Sequence, residues 1–216
     1  MRTRSTLLRV SPGTCGCLDV DQLDRVRLLV ESGAAPSTSG FVQHAVSVAL
    51  DDVAGWGAML ADALRDTGGE LSVEERRWAD ETLGRSDPRS LMAGITLDAG
   101  GLIALGRNDR RVIVLLERAR ETGTRVTVPV SALAQAIRQS QRQARLARLI
   151  RQPTTDVVPL DRVDATNVGR LLAASAIVDV VDAHVVISAR RTGQRVMTSD
   201  PDDLRRLDPT VGLVVV

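Results

Sequence analysis

Apolar residues recur at two different periods along this chain, and the change falls near residue 92. From Val20 to Gly33, Leu23, Val26, Leu29 and Val30 share one helical face, and Gly33 closes the segment. Ser37 or Ser39 can cap a second helix, about Gly40 to Val53, carrying Phe41, Val42, Ala45, Val48 and Leu50. A third helical stretch runs through Trp56, Met59, Leu60 and Leu64 until Thr67-Gly68-Gly69. Ser72 then opens SVEERRWADETLG with Glu75 three residues later, a capping-box spacing. The polar run GRSDPRS, with its glycine and proline, reads as a linker.

Beyond that point short β-type runs alternate with helical ones. Gly94–Leu97, Val126–Val128, Val157–Leu160, Val196–Thr198 and Gly212–Val216 read as strands. Between them, helices are predicted over Arg111–Arg120, over one long stretch from Ser131 to Arg151, over Val163–Ala174, and from Asp182 to Gly193. Strands alternating with helices predict an α/β fold, a parallel sheet with helices on both faces, preceded by a mainly helical region. The expected organisation is a helical region over residues 1–84, a linker over 85–91 and an α/β domain over 92–216.

Composition sharpens this division. Residues 1–91 carry ten Arg against fourteen Asp and Glu, net −4, while residues 92–216 carry eighteen Arg against thirteen acids, net +5. An acidic half joined to a basic half suggests two partners or one half covering the other. The chain has no Lys and no Tyr, and its aromatic residues, Phe41, Trp56 and Trp78, all precede residue 92. Base stacking on aromatic platforms in the second half is therefore excluded, while arginine contacts to a nucleic-acid backbone are not. Cys15 and Cys17 form a lone Cys-x-Cys, too few ligands for a tetrahedral zinc site, and read as reduced thiols of a cytoplasmic protein. The apolar stretch after Arg2 and Arg4 stops at Pro12, too short for a signal-peptide core, and no run reaches membrane-spanning length.

The candidate chemistry lies in aspartates at junctions between elements. Asp98 follows the run Gly94–Leu97, Asp200 follows Arg195–Thr198, and Asp182 lies at the start of a helix. In a parallel sheet the carboxyl ends of strands open onto the ligand crevice. Three carboxylates meeting there repel one another unless a divalent cation, Mg²⁺ or Mn²⁺, neutralises them. Each also has a plainer reading. Asp182 can be a helix N-cap, and Asp200 before Pro201 fits an N-cap with Pro at N1. For Asp98 the plainer reading is weak, since Ala99-Gly100-Gly101 offers little helix to cap. Asp179 lies one turn before Asp182 and is a possible extra carboxylate. Thr198 and Ser199 can hydrogen-bond ligand carboxylates or a phosphate. Asp202 and Asp203 read as solvated first-turn acids, and His184 as a packing or surface residue. Arg138, Arg142, Arg145, Arg148 and Arg151 recur with no intervening acid. Such a stripe can grip RNA phosphates, form a solvated face, or dock the acidic half.

The segments LDAGGLIAL, VPVSALAQAIR, DVVDAHVVISARRTG and VMTSDPDDLRRL, in that order, resemble the PIN-domain ribonucleases, especially VapC-type toxins of bacterial toxin–antitoxin pairs. Four acidic positions are typical of that family. Asp98, Asp182 and Asp200 match the first, third and fourth, and Gln135 stands where the second is usually a glutamate. The resemblance implies a metal-dependent endoribonuclease with Mg²⁺ or Mn²⁺ held by Asp98, Asp182 and Asp200. A neutral Gln135 implies weaker metal binding, although it can hold a metal-bound water by hydrogen bonds.

Residues 20–84 resemble the partner antitoxins: VRLLVESGAAPSTSGFVQHAV is similar to the two helices of a ribbon-helix-helix protein, and LSVEERRWADETLG to a toxin-wrapping tail. Pro12, Gly13 and Gly16 occupy the place of the DNA-reading ribbon, which puts operator DNA binding in question. The joint reading is an antitoxin-like segment fused to its nuclease, with the fused inhibitor at about millimolar effective concentration. Arg76 or Arg77 is then expected to reach into the acidic pocket. A homodimer is expected by resemblance. The alternative is a binding or regulatory module whose pocket has lost catalysis at Gln135.

Overall fold

The computed structural model describes residues 19–85, 93–139, 143–175 and 177–216, with residues 138 and 139 by backbone alone. The expected ribbon position, Cys15, Cys17, most of the expected linker, Met92, Arg142 and the Arg138 side chain lie outside the described residues. Two compact units emerge, residues 1–50 and residues 51–216.

In the first unit, α1 (Val20–Glu31) begins at a reciprocal cap. The Asp19 carboxylate accepts from the Gln22 amide at 2.7 Å, and the Gln22 side chain accepts from the Asp19 amide. Val26 and Ala35 are buried, whereas Val46, Leu28 and Leu50 are exposed. Helix α2 (Thr38–Thr67) runs unbroken through the two helices expected over Gly40–Val53 and Trp56–Leu64. Only Ala54 and Gly55 separate those stretches, and a lone glycine costs about 1 kcal/mol, too little to end a packed helix.

The second unit contains the rest of α2 and then α3 (Val73–Thr82), whose N-cap Ser72 and Glu75 form the predicted capping box. There follow β1 (Gly94–Leu97), α4 (Ala99–Gly106), α5 (Arg110–Thr122), β2 (Arg125–Pro129), α6 (Val130–Gln139), α7 (Gln143–Leu149) and β3 (Thr155–Val158). The chain closes with α8 (Arg162–Ser175), α9 (Val180–Thr192), β4 (Arg195–Thr198), α10 (Pro201–Leu207) and β5 (Leu213–Val215). All strands pair parallel in the order β3-β2-β1-β4-β5, an α/β fold with one five-stranded sheet. Every residue of β1 is buried. Successive side chains point to opposite faces, so both faces of the sheet are covered there.

Local departures from the sequence expectations have physical reasons. The single helix expected over Ser131–Arg151 is described as α6 and α7, with residues 140–142 outside the description. Strand β3 starts two residues before Val157, because a two-residue slip keeps the same face inward. Helix α4 was missed: its sequence, AGGLIALG, is apolar nearly all round, which is the pattern of a buried helix and hides any period.

The largest departure concerns residues 51–85. Trp56, Leu60, Ala63 and Leu64 of α2, with Leu71, Ala79 and Leu83, share one buried cluster with Ile113, Leu116 and the sheet residues. Polar contacts reinforce the seam between α3 and α5. Arg110 binds Glu75 at 2.7 and 2.9 Å, and Arg118 binds Asp80 at 2.9 and 2.8 Å. The Arg111 guanidinium lies 5.0 Å from the Trp78 ring centroid. The Gly94 amide donates to the Leu83 carbonyl at 2.9 Å. This stretch is a layer of the α/β unit, and the division lies between Leu50 and Asp51, not within 85–91.

Leu60 is 1% exposed. Leu60→Ala is therefore expected to destabilise the fold by about 2–5 kcal/mol, whereas Leu50→Ala, on an exposed site, should fall within about 0.5 kcal/mol. Urea unfolding followed by tryptophan fluorescence checks this, since Trp56 is itself in the core. An unchanged midpoint for Leu60→Ala would contradict an integral α2 layer.

Candidate active site at the carboxyl ends of the strands

From β1 the chain goes to β2 on one side, while β4 lies on the other side of β1, so the strand order reverses between β1 and β4. In open α/β sheets the crevice beyond the carboxyl ends at such a point is the preferred ligand site. Asp98 follows β1 there, and Asp200 follows β4. The two strand ends are held together closely. The Asp98 amide donates to the Met197 carbonyl at 3.2 Å. A Cβ on Gly101 would lie 2.9 Å from the Met197 carbonyl, and one on Gly100 2.8 Å from the Ser199 amide. The glycines of LDAGG let α4 approach β4 at van der Waals limits.

Asp98 is 6% exposed and is the N-cap of α4, accepting from the Gly101 amide at 2.6 Å. The expectation that little helix follows it is thus corrected: the carboxylate both caps a helix and faces the crevice. Burial raises its pKa, against hydrogen bonds from Thr198, Gly101 and Gly100 that favour the charged form, and the charge of Asp200 adds to the rise. The Thr198 hydroxyl also accepts from the Asp200 amide at 2.9 Å. One buried threonine thereby links the Asp98 carboxylate to the Asp200 backbone.

Asp182 does not begin its helix. The cap of α9 is Asp179, whose carboxylate accepts from the amides of Val181 and Asp182 at 2.7 and 3.1 Å. Asp182 sits one turn in, and its pKa is pushed up to about 7 by burial and by Asp179, Asp98, Asp203 and Asp200. The cluster therefore brings together the three expected aspartates with Asp179, and adds Asp203, which reads from sequence as a solvated acid. Asp200 occupies the cap position of α10, yet its side chain makes no capping hydrogen bond. Ser199 is exposed beside Gly100 and lines a cavity of about 380 Å³ with Arg107 and Asp109.

The arginines of α9 and α10 pair with other carboxylates: Arg190 with Asp208, Arg191 with Asp164, Arg205 with Asp202, and Arg206 with Asp203 of the cluster. Among the described residues none pairs with Asp98, Asp182 or Asp200. Nor do any three acidic, histidine or cysteine side chains among the described residues stand close enough to hold an ion as they are. The donor set, all hard carboxylate oxygen, fits Mg²⁺ or Mn²⁺ and fits neither zinc nor copper. Burial, with the neighbouring carboxylates adding to it, disfavours the charged form of Asp182.

Gln135 of α6 is half-buried and lines a cavity of about 470 Å³ with Ser131, Ala134, Asp179 and Val181. It faces the N-terminus of α9. Of the two readings of His184, packing holds and surface does not. The residue is fully buried, its Nδ1 lies 2.8 Å from the Ser131 hydroxyl, and burial lowers its pKa.

The basic residues fall elsewhere. Arg145 donates to the Leu105 carbonyl at 3.3 Å, Arg148 lies against Gly55, and Arg151 pairs with Asp52 at 3.2 Å. Of the described stripe residues, Arg151 is the one that pairs with an acid of α2. Arg76 binds Glu121 on α5 at 2.9 Å instead of reaching the acidic cluster, and Arg77 is exposed. The reason is local: α3 packs on α5, whose acids are nearer than the crevice. Neither the protein-family models nor the curated proteins compared with this chain give a match. Among the described residues no single helix is long and apolar enough to cross a membrane.

The raised Asp182 fixes the sign of a pH effect. Its folded pKa of about 7 exceeds the ordinary carboxylate value, so its contribution is most favourable below about pH 4 and is lost as pH rises to about 7. Asp182→Asn is expected to raise the melting temperature at pH 8 relative to wild type and to leave it nearly unchanged at pH 4. Thermal unfolding at the two pH values decides, and an equal shift at both would contradict the electrostatic account.

Proposed function

We propose that this chain is a metal-dependent endoribonuclease whose α/β unit is PIN-like. The observation that carries the reading is the convergence of Asp98, Asp182 and Asp200 from β1, α9 and β4 on the switch point of a parallel sheet, with no basic partner among the described residues. Asp98, Asp182 and Asp200 would hold Mg²⁺ or Mn²⁺. When bound, such a cation supplies charge neutralisation at the phosphodiester and a more acidic water. The chain's own groups do the rest. The Thr198 hydroxyl and the α4 amides fix Asp98, whose backbone anchors it to β4. Asp182, half-protonated alone, ionises when a cation shares the site, so metal uptake releases a proton. Gln135 offers an amide across the seam from Asp179, suited to hydrogen-bond a water but not to add charge.

Of the antitoxin-like stretch, residues 51–84 belong to the α/β unit. In this reading self-inhibition rests on residues 1–50, acting in cis or across a homodimer. A second reading is favoured by one observation, the neutral Gln135 beside a cluster in which, among the described residues, no three acids stand within ligating reach. It makes the chain a dimeric binding or regulatory module, operator DNA being its candidate partner, without cleavage.

With Mn²⁺, full-length protein is expected to cleave single-stranded RNA slowly and a chain lacking residues 1–50 faster, and Asp98→Asn is expected to lower the faster rate by at least about 100-fold. Silence of both folded proteins, combined with salt-dependent DNA binding, would establish the second reading instead. The Arg76 contact carries its own expectation. Arg76→Ala should cost about 0.2–1 kcal/mol of stability, as a partly exposed ion pair does, and leave cleavage unchanged. A rise in cleavage would restore Arg76 as an inhibitory residue.

A further inference from the structure

His184 and Ser131 form a polar pair in the seam between α6 and α9. Ser131, Ala134 and Gln135 fall on one face of α6, and Val181, His184 and Ser188 on one face of α9. Val181 lines the same cavity as Ser131 and Gln135, so these faces oppose each other. The apolar contacts along such a seam are tolerant of sliding, whereas a hydrogen bond between buried groups has one length and one direction. His184 is 0% exposed, and its Nε2 has no hydrogen-bond partner among the described residues. Nδ1 to Ser131, at 2.8 Å, is the ring's hydrogen bond to α6, while the Pro159 backbone also acts on the ring. Ser131 and Gln135 are one helical turn apart. Moving α6 by one residue along α9 would turn Gln135 by about 100° away from the seam. Asp179, which Gln135 faces, holds the Asp182 amide, so the seam ends at the acidic cluster.

We propose that Ser131 and His184 are positioning residues: their buried hydrogen bond pins α6 against α9 in the register that sets Gln135 beside Asp179 and Asp182. Its consequence for catalysis rests on the endoribonuclease reading, while its structural content does not. The pair occupies the layer beneath the site and touches no substrate. Because Gln135 brings no charge, its usefulness depends on placement alone, and the pin supplies that placement.

The test uses full-length protein labelled with ¹⁵N. The Gln135 side-chain amide resonances, identified by their loss in Gln135→Ala, report the placement of that group without any activity. Ser131→Ala is expected to shift them, and Ser131→Thr, which keeps the hydroxyl, to leave them near the wild-type position. His184→Asn, which retains a hydrogen-bonding atom near Nδ1, provides a second variant if Ser131→Ala fails to fold, and should also preserve them. Unmoved resonances in folded Ser131→Ala, or moved ones in both conservative variants, overturn the pin whether or not the chain cleaves RNA. In the cleavage assay Ser131→Ala is expected to lower kcat about tenfold with Mn²⁺ present, in line with outer-layer partners of metal sites. That loss should vanish in a Gln135→Ala background. Equal losses in both backgrounds would mean that the pair acts on the site other than through Gln135. Absence of cleavage both by the wild type and by a chain lacking residues 1–50 would remove the nuclease reading and leave the resonance test standing.

Discussion

Like charges gathered at the end of a buried parallel sheet are the constraint around which this fold is arranged. Asp98 and Asp200 are delivered by neighbouring strands, and Asp182 by the helix that precedes β4. The approach of α4 to β4, possible only with glycine at positions 100 and 101, brings these carboxylates together. Burial and the neighbouring carboxylates together push the Asp182 pKa up to about 7. The chain has 28 arginines, and those of α9 and α10 pair with Asp208, Asp164, Asp202 and Asp203. Among the described residues none pairs with Asp98, Asp182 or Asp200, and a partly buried carboxylate without a partner costs stability.

The surroundings show how that cost is offset. Residues 51–85 add a layer of large side chains and a set of arginine–carboxylate pairs on α5. On the far side, Arg190 to Asp208 and Arg191 to Asp164 fasten α9 to the segments beside it; Asp208, raised by burial but held by Arg190 and Thr210, ends at a pKa of about 2. These well-partnered ions sit away from the strand ends. Among the described residues, charge is paired in the scaffold, whereas Asp98, Asp182 and Asp200 have no basic partner.

Much of this was legible in the chain. Strand-to-aspartate junctions are a local pattern, and the parallel sheet required only that short apolar runs alternate with helical periods. The capping box at Ser72 and Glu75 and the ends of α9 and α5 at glycine were equally local. Less legible were features that depend on two distant segments meeting. The role of Asp203 in the field at Asp182, the burial of His184 against Ser131, and the engagement of Arg76 by Glu121 each join residues far apart in sequence or on different helices. The single α2 was misread for a different reason: propensity at Ala54 and Gly55 is a weak local vote, overridden by packing at Trp56 and Leu60.

The sequence by itself determined the order and type of most elements, the three strand- and helix-end aspartates, and the change in period after residue 90. Periodicity, capping and turn chemistry act over a few residues, and such information is written in consecutive positions. Only the tertiary structure decided which side of the change residues 51–85 belong to. Their composition is acidic and their helices amphipathic, which suits a detachable cover as well as a built-in layer. The choice turns on whether the apolar face of α2 and α3 meets the α5 face in close contact, and contact between surfaces is set by geometry that no local pattern encodes. The same holds for the crevice: two aspartates can be counted in a sequence, but their mutual repulsion exists only once β1 and β4 lie side by side.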